Sequence, residues 1–371
     1  MGLLVQNNSA GNDGPDYQLD GTELIALARS ANDPAILVST LISLGTAYER
    51  ATRLSEAKAC YAEAAQICRN MEKPDASQFA ASIGHLGDIL VVEGRVTEAL
   101  PLFEEGVDIA KRYKRVIDEA NCLRQIGTTY MTLWEPRPAN KYLSLALDLY
   151  RAGGWAFLEV AALVHIAWSR SMAGDVEEAA EILDVAARCI AKIAHPWLFG
   201  TTLLTFARGD IHYYKGDHDL ALATFRGVRA IYQYKLPMRD YEAEVLKRLG
   251  FLAMVQQRYT DAEQAFIVSA VLNWKTEEFI NIAIALTRLA DVWLAEGDVD
   301  AAINLTLAIG PQIVRLGSGK EFADIQLRFA LAAKSRQNLV HARETVLKAL
   351  KEYERVEWRY GINRCQELLS V

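Results

Sequence analysis

Three arginines, Arg248, Arg288 and Arg328, stand 40 residues apart along the chain. A guanidinium is a rigid fork of donors that matches the geometry of a carboxylate. Three of them at one register would form a ladder for an acidic peptide or another carboxylate ligand. The same register is held upstream by His85, Gln125 and His165. A local reading stands beside this one: Asp291 lies one helical turn from Arg288, and such pairs are often surface salt bridges.

Other reactive side chains do not gather. The histidines at 85, 165, 195, 212, 218 and 341 are dispersed, and His212 and His218 have poor spacing for a shared metal. The five cysteines, Cys60, Cys68, Cys122, Cys189 and Cys365, show neither zinc-ligand nor CxxC spacing. They read as small apolar fillers of helix interfaces in a reducing compartment. Arg315-Leu-Gly-Ser-Gly-Lys320 invites comparison with a phosphate loop. Val314 and Glu321 stand where that loop needs Gly and Ser or Thr, so the stretch reads as a flexible link. HExxH, GxSxG and a supported carboxylate pair are all missing, so the expectation is a protein that is not an enzyme and uses no metal or cofactor.

Composition narrows the partners. The 371 residues carry a net charge of -7 and are 51% hydrophobic. Mild acidity argues against nucleic acid, which calls for a basic face. The most apolar tract, Trp155 to Trp168, contains Glu159 and His165 and is too short to span a bilayer. The start lacks a secretory pattern, and Gln6 stands where a myristoylation signal needs Ser or Thr. A soluble, cytoplasmic protein with no membrane partner is expected.

The elements that must position these residues follow from a recurring spacing. Gly250 is followed by Ala262 at +12, Phe266 at +16 and Ser269 at +19. The pattern is led in turn by Gly45, Gly87, Gly127, Ala167, Gly209, Gly250, Ala290 and Ala330, at intervals of 40 to 42 residues. Small residues at these places let two antiparallel helices approach, and the bulky residue at +16 fills the gap beside them. Each unit therefore reads as helix A, tight turn, helix B; in the second, Phe79–Val92 and Val96–Tyr113. Gly94, Gly174, Gly216 and Gly297, seven after their leaders, are expected to end helix A in the left-handed conformation. Asp175, Asp217 and Asp298 are then placed to cap helix B.

This pattern resembles the tetratricopeptide repeat. Leu44-Gly45-Thr-Ala-Tyr48 and Ile126-Gly127-Thr-Thr-Tyr130 carry the likeness in helix A, which extends over residues 35 to 355. The usual unit is 34 residues, so each helix pair here is longer. HEAT-like repeats share the long period without the offsets. The long units resemble the kinesin-light-chain and spindle-adaptor solenoids, and the sensor regions of bacterial signal-transduction ATPase regulators. The ATPase and DNA-binding modules of the latter are not visible. The resemblance implies an all-α, right-handed superhelical solenoid of about eight repeats with capping helices.

Residues 1–19 are expected to be a disordered tail, and 20–371 a single solenoid. Its first half-repeat runs from Asp20 or Thr22 to Ala31, and a final helix over 354–369 closes it with Trp358 inward. The third turn, Trp134-Glu135-Pro136-Arg137-Pro138, breaks the pattern; it reads as a stiff cap or as a partner contact at an exposed Trp134.

The resemblance also places the A helices on the inner wall. The groove residues it implies are Asn121, Arg124, Trp168, Phe206, Asp210, Tyr213, Lys247, Arg248, Phe251, Arg288 and Arg328. Its middle is aromatic, and large exposed apolar patches usually mark binding; burial between neighbouring helices is the competing account. Three functions follow. The first is an adaptor or regulator holding a peptide or partner helix, acidic if the arginines are free. The second is a small-molecule sensor, favoured if each guanidinium is already tied to a carboxylate. The third is a self-assembling scaffold, which leaves a homo-oligomer open.

Overall fold

The structure is a computed structural model that describes residues 21–370. The tail expected over 1–19 lies outside the described residues. Among the described residues there are eighteen α-helices and no strand. α1 (Gly21–Ser30) opens the array and α18 (Arg359–Ser370) ends it. Between them run eight antiparallel pairs. The A helices are α2 (Pro34–Arg50), α4 (Ala76–Val92), α6 (Val116–Thr132) and α8 (Ala156–Ala173), then α10 (Leu198–Lys215), α12 (Arg239–Val255), α14 (Phe279–Glu296) and α16 (Gly319–Ser335). Their B partners are α3 (Leu54–Asn70), α5 (Val96–Arg112), α7 (Pro136–Ala152) and α9 (Val176–Ala191), then α11 (His218–Ala230), α13 (Tyr259–Lys275), α15 (Val299–Leu316) and α17 (Leu339–Arg355). A helices of neighbouring repeats touch along most of the array, which puts them on the inside of the curve.

The leading glycines act through close approach. A β-carbon on Gly87 would lie 2.4 Å from the Phe103 ring, and one on Gly250 would lie 2.7 Å from Phe266. No real side chain tolerates such a contact. Gly45, Gly127 and Gly209 meet Tyr61, Leu143 and Phe225 in the same way. Where the leader is Ala290 or Ala330, the residue at +16 shrinks to Thr306 or Val346, while Ala167 keeps a leucine, Leu183, as Gly127 does. Volume is exchanged between the two helices while their separation is kept.

The A–B turn is equally regular. The residue seven after each leader has positive φ in every repeat: Gly94, Gly174, Gly216 and Gly297, as expected, but also Thr52, Trp134, Gln257 and Gln337. An L side chain is disfavoured there by roughly 1–2 kcal/mol, so the tertiary frame imposes the turn. Of the three aspartates expected to cap helix B, only Asp298 does so, accepting from Ala301 N at 3.1 Å. Asp175 faces Arg170 at 3.8 Å instead. α4 starts at Ala76 rather than Phe79 because Asp75 caps it through Gln78 N.

Two other local expectations are corrected. The link at 315–320 is not flexible: Gly317 ends α15, Ser318 caps α16 one residue later, and Ser318 and Lys320 are buried. The last helix begins at Arg359, because Glu357 takes positive φ and separates it from α17. Trp358 therefore lies in the turn.

The superhelix comes round and meets itself. Leu54 N donates to Glu277 Oε2 at 3.1 Å, 223 residues away. Ser318 Oγ donates to Leu133 O at 3.4 Å, 185 residues away. Val96 of α5 is buried in one apolar cluster with Ile280 of α14 and Ile313 and Leu316 of α15. Arg359 packs against Gly174. Trp134 is half-buried in this seam, where it meets Trp358 with ring centroids 5.8 Å apart. The contact read from the third turn is thus made within the chain. The A helices consequently line the inside of this closed turn, its lumen.

Candidate functional site

The arginine register is an inter-repeat staple. Gln125 Nε2 donates to Asp88 Oδ2 at 2.8 Å, Arg248 Nε to Asp210 Oδ1 at 2.9 Å, and Arg328 Nη2 to Asp291 Oδ2 at 3.1 Å. Each joins a donor on one A helix to a carboxylate 37 or 38 residues earlier, on the A helix before it. Arg288 finds Phe251 at the corresponding place and lies over its ring at 5.8 Å. It pairs instead with Glu321 at 2.7 Å, Asp324 at 2.8 Å and Asp291 at 3.2 Å. Burial alone would lower its pKa, but these three carboxylates hold it well above the usual arginine value. The free ladder expected for Arg248, Arg288 and Arg328 is therefore absent, since all three are neutralised by the chain itself. The signal was present in the sequence, where Asp88, Asp210 and Asp291 each stand one position after a leading small residue.

Lys247 is likewise spoken for. It is buried, paired with Glu244, and donates to Asn281 Oδ1 at 3.4 Å. Phe206 is buried beneath Trp168 (5.7 Å between ring centroids) and beside Phe225 (5.9 Å), so it supports the wall from behind. Tyr213 and Phe251 are half-buried. Tyr213 stacks edge-on with Tyr214.

The remaining groove residues stand in the middle of the inner wall, on α6, α8 and α10. Arg124 is half-buried and, alone among the four groove arginines, has no carboxylate within 4 Å among the described residues. Its guanidinium faces the Tyr150 hydroxyl. Asn121, one turn earlier on the same face of α6, accepts from Tyr150 Oη at 2.8 Å, which leaves its amide N–H groups unused. On α8, burial first and then the Arg124 charge push the His165 pKa down to about 3, so the ring stays neutral. His165 Nδ1, Trp168 Nε1 and Asp210 Oδ2 are buried without a partner. The Trp168 indole N–H faces Asp210 and favours its ionised form, but not in the geometry of a formed hydrogen bond. Burial raises the Asp210 pKa, against the pull of Arg248.

Glu278 precedes α14 close to two carboxylates of α12. Burial raises the Glu278 pKa to about 7; its hydrogen bond with Asn281 opposes this, and the charges of Asp240 and Glu244 add to it. No group of His, Cys, Asp and Glu suited to a metal occurs among the described residues. No described helix is long and apolar enough to cross a membrane.

The architecture now permits comparison with known proteins. No family profile matches the chain. A tetratricopeptide repeat protein 29 from Trypanosoma brucei brucei is 24% identical over 208 residues, covering 54% of this chain. The match spans only 42% of that relative. Among solved structures, a Rap protein complexed with competence and sporulation factor superposes with TM-score 0.58 at 13% identity, covering 86% of this chain and 98% of that one. The fold is that of a tetratricopeptide-repeat solenoid. A Rap conjugation gene regulator of plasmid pLS20, in complex with the Phr* peptide, gives TM-score 0.58 at 14% identity over 90% and 98% of the two chains. At these identities the likeness is one of fold. The solenoid differs from its expected reading chiefly in the sealed seam and the neutralised ladder.

Proposed function

We propose that this solenoid is a non-enzymatic binding module, adaptor or regulatory in role. Its lumen takes an extended peptide or partner segment, and Arg124 anchors a carboxylate of that ligand. The observation that carries this reading is the Arg124 fork beside the Asn121 amide. The fork faces the Tyr150 hydroxyl and feels the Asp88 charge but has no carboxylate within 4 Å among the described residues, while the other three groove arginines are matched. A carboxylate suits that fork, and hydrogen bonds to charged groups contribute about 1.5–3 kcal/mol. Trp168 on α8 and Tyr213 on α10, both half-buried, extend the wall over two further repeats, a spacing that suits an extended backbone more than a compact molecule. The peptide held by one structural relative supports the same reading.

The neutralised ladder is the outcome that favours the small-molecule reading, with the aromatic middle around Trp168 and Phe206 as its site. Against it stands the burial of Phe206 beneath Trp168, which leaves a compact ligand little of that aromatic surface to touch. The test is capture from random peptide pools made with free-acid and amidated C-termini. Enrichment confined to the free-acid pool identifies a C-terminal carboxylate; Asp or Glu fixed at one position in both pools identifies a side chain. Arg124→Gln should then weaken binding by about ten- to a hundredfold. No enrichment in either pool would overturn the peptide reading.

A further inference from the structure

Around this ring every repeat is joined to the next by a short turn and a shared core, except at the seam, which no stretch of chain crosses. The seam is also uneven. At one end the apolar cluster of Val96, Ile280, Ile313 and Leu316 is fully buried. Towards the other end, with Arg359 against Gly174 beyond them, the rim pairs Arg137–Glu357 and Arg355–Glu135 are about a third to four-fifths exposed, and exposed pairs contribute little. Between the rim pairs sits Lys320. Its ammonium lies 4.6 Å from the Trp134 ring centroid and 4.9 Å from that of Trp358. It also pairs with Glu321 at 3.0 Å and Asp324 at 2.9 Å. Those two carboxylates hold Arg288 on the inner wall, and Asp324 accepts from Tyr353 Oη. Trp134 presents its ring from the positive-φ position (φ +59°) that every A–B turn of the array shares.

We infer that the seam is a latch, with Lys320 as its bolt, through which the ring opens sideways to admit a ligand. The apolar end is the hinge and the Trp134–Lys320–Trp358 end is the part that releases. Because Glu321 and Asp324 serve both the bolt and the wall, a change in the lumen reaches the seam through one shared pair of carboxylates. Sideways entry suits an internal segment of a folded partner, which cannot thread a closed ring end-on.

The conformational part is tested without any ligand. Dyes are placed at Arg137→Cys and Glu357→Cys, in a background where Cys189 is replaced by Ser, and the distance distribution is read by single-molecule energy transfer. Lys320→Met and Trp134→Gly should each convert a narrow closed distribution to one with a major open component, while Lys320→Arg should stay closed. Trp134→Gly removes a ring and relieves the positive φ, so it keeps the fold even if Lys320→Met does not. An unchanged distribution in the variants would overturn the latch. The entry part rests on the peptide reading above. Joining positions 137 and 357 with a short bismaleimide should slow association of a captured free-acid peptide by at least about tenfold, as expected when entry needs a state populated at 10% or less. Unchanged association in the joined protein would show that the peptide enters through the ends, with the peptide reading intact.

Discussion

Replacing Arg288 with methionine is expected to cost about 3–5 kcal/mol of stability, read as a lower urea midpoint. Its side chain is 8% exposed, and Glu321 and Asp324 beside it are 3% and 8% exposed. Removing the guanidinium leaves those carboxylates buried with only Lys320 and the neighbouring Arg328 to offset them. The sign follows from Asp324. Burial would raise its pKa, yet the charges of Lys320, Arg288 and Arg328 hold it well below the usual range. With its folded pKa depressed, its contribution is present above the unfolded value and lost as pH falls through the folded one. The variant should therefore lose stability most clearly at neutral pH and differ less from the parent in strong acid. Arg288→Met should leave the contact at Arg124 intact, so that a bound peptide still labels Arg124, while the shared carboxylates Glu321 and Asp324 change the rate at which it enters. A stable variant that no longer binds peptide would instead make Arg288 a ligand group and restore the ladder.

The second large effect concerns the contact that sets the repeat. Gly250→Ala should cost about 1–3 kcal/mol through overpacking, because its new methyl group would sit 2.7 Å from the Phe266 ring. Gly250→Leu should cost more. Phe266→Val alone should also destabilise, by opening a cavity. Together, Gly250→Ala and Phe266→Val recreate the Ala330/Val346 pairing that the chain already uses in its last repeat. The double variant should recover stability, with a coupling of about 1 kcal/mol or more in a double-mutant cycle. Additive losses would mean that helix separation is not set by this pair.

These two cases mark what the sequence makes legible. The helix pairs are visible because close approach needs Gly or Ala at a fixed place in every unit, and a rule applied eight times rises above local noise. The staple was visible in part: the arginine register stood out, but its meaning depended on acceptors 37 or 38 residues away. Asp88, Asp210 and Asp291 supply them at a second register that has to be read jointly with the first. The seam was not legible. It joins turn residues 185 to 223 positions apart, and whether they meet depends on small rotations accumulated over about five repeats. No single residue type encodes that sum. Trp134 illustrates this limit: its turn is readable as unusual, yet its partner is fixed only by the superhelix. Arg124 is distinguished by what it lacks, and a missing carboxylate becomes apparent only when every neighbour has been placed.

The outer face offers a competing site, since Val271 of α13, Leu307 and Val314 of α15 and Leu347 of α17 are about half exposed. Photo-cross-linking decides between the two faces. A captured free-acid peptide carrying a photoreactive group beside its carboxylate is irradiated on the protein, and the labelled residues are identified by mass spectrometry. Labels should fall on α6, α8 and α10, around Asn121, Arg124 and Trp168, and should disappear in Arg124→Gln. Labels confined to α13, α15 and α17, unaffected by Arg124→Gln, would contradict the claim that the lumen is the binding site.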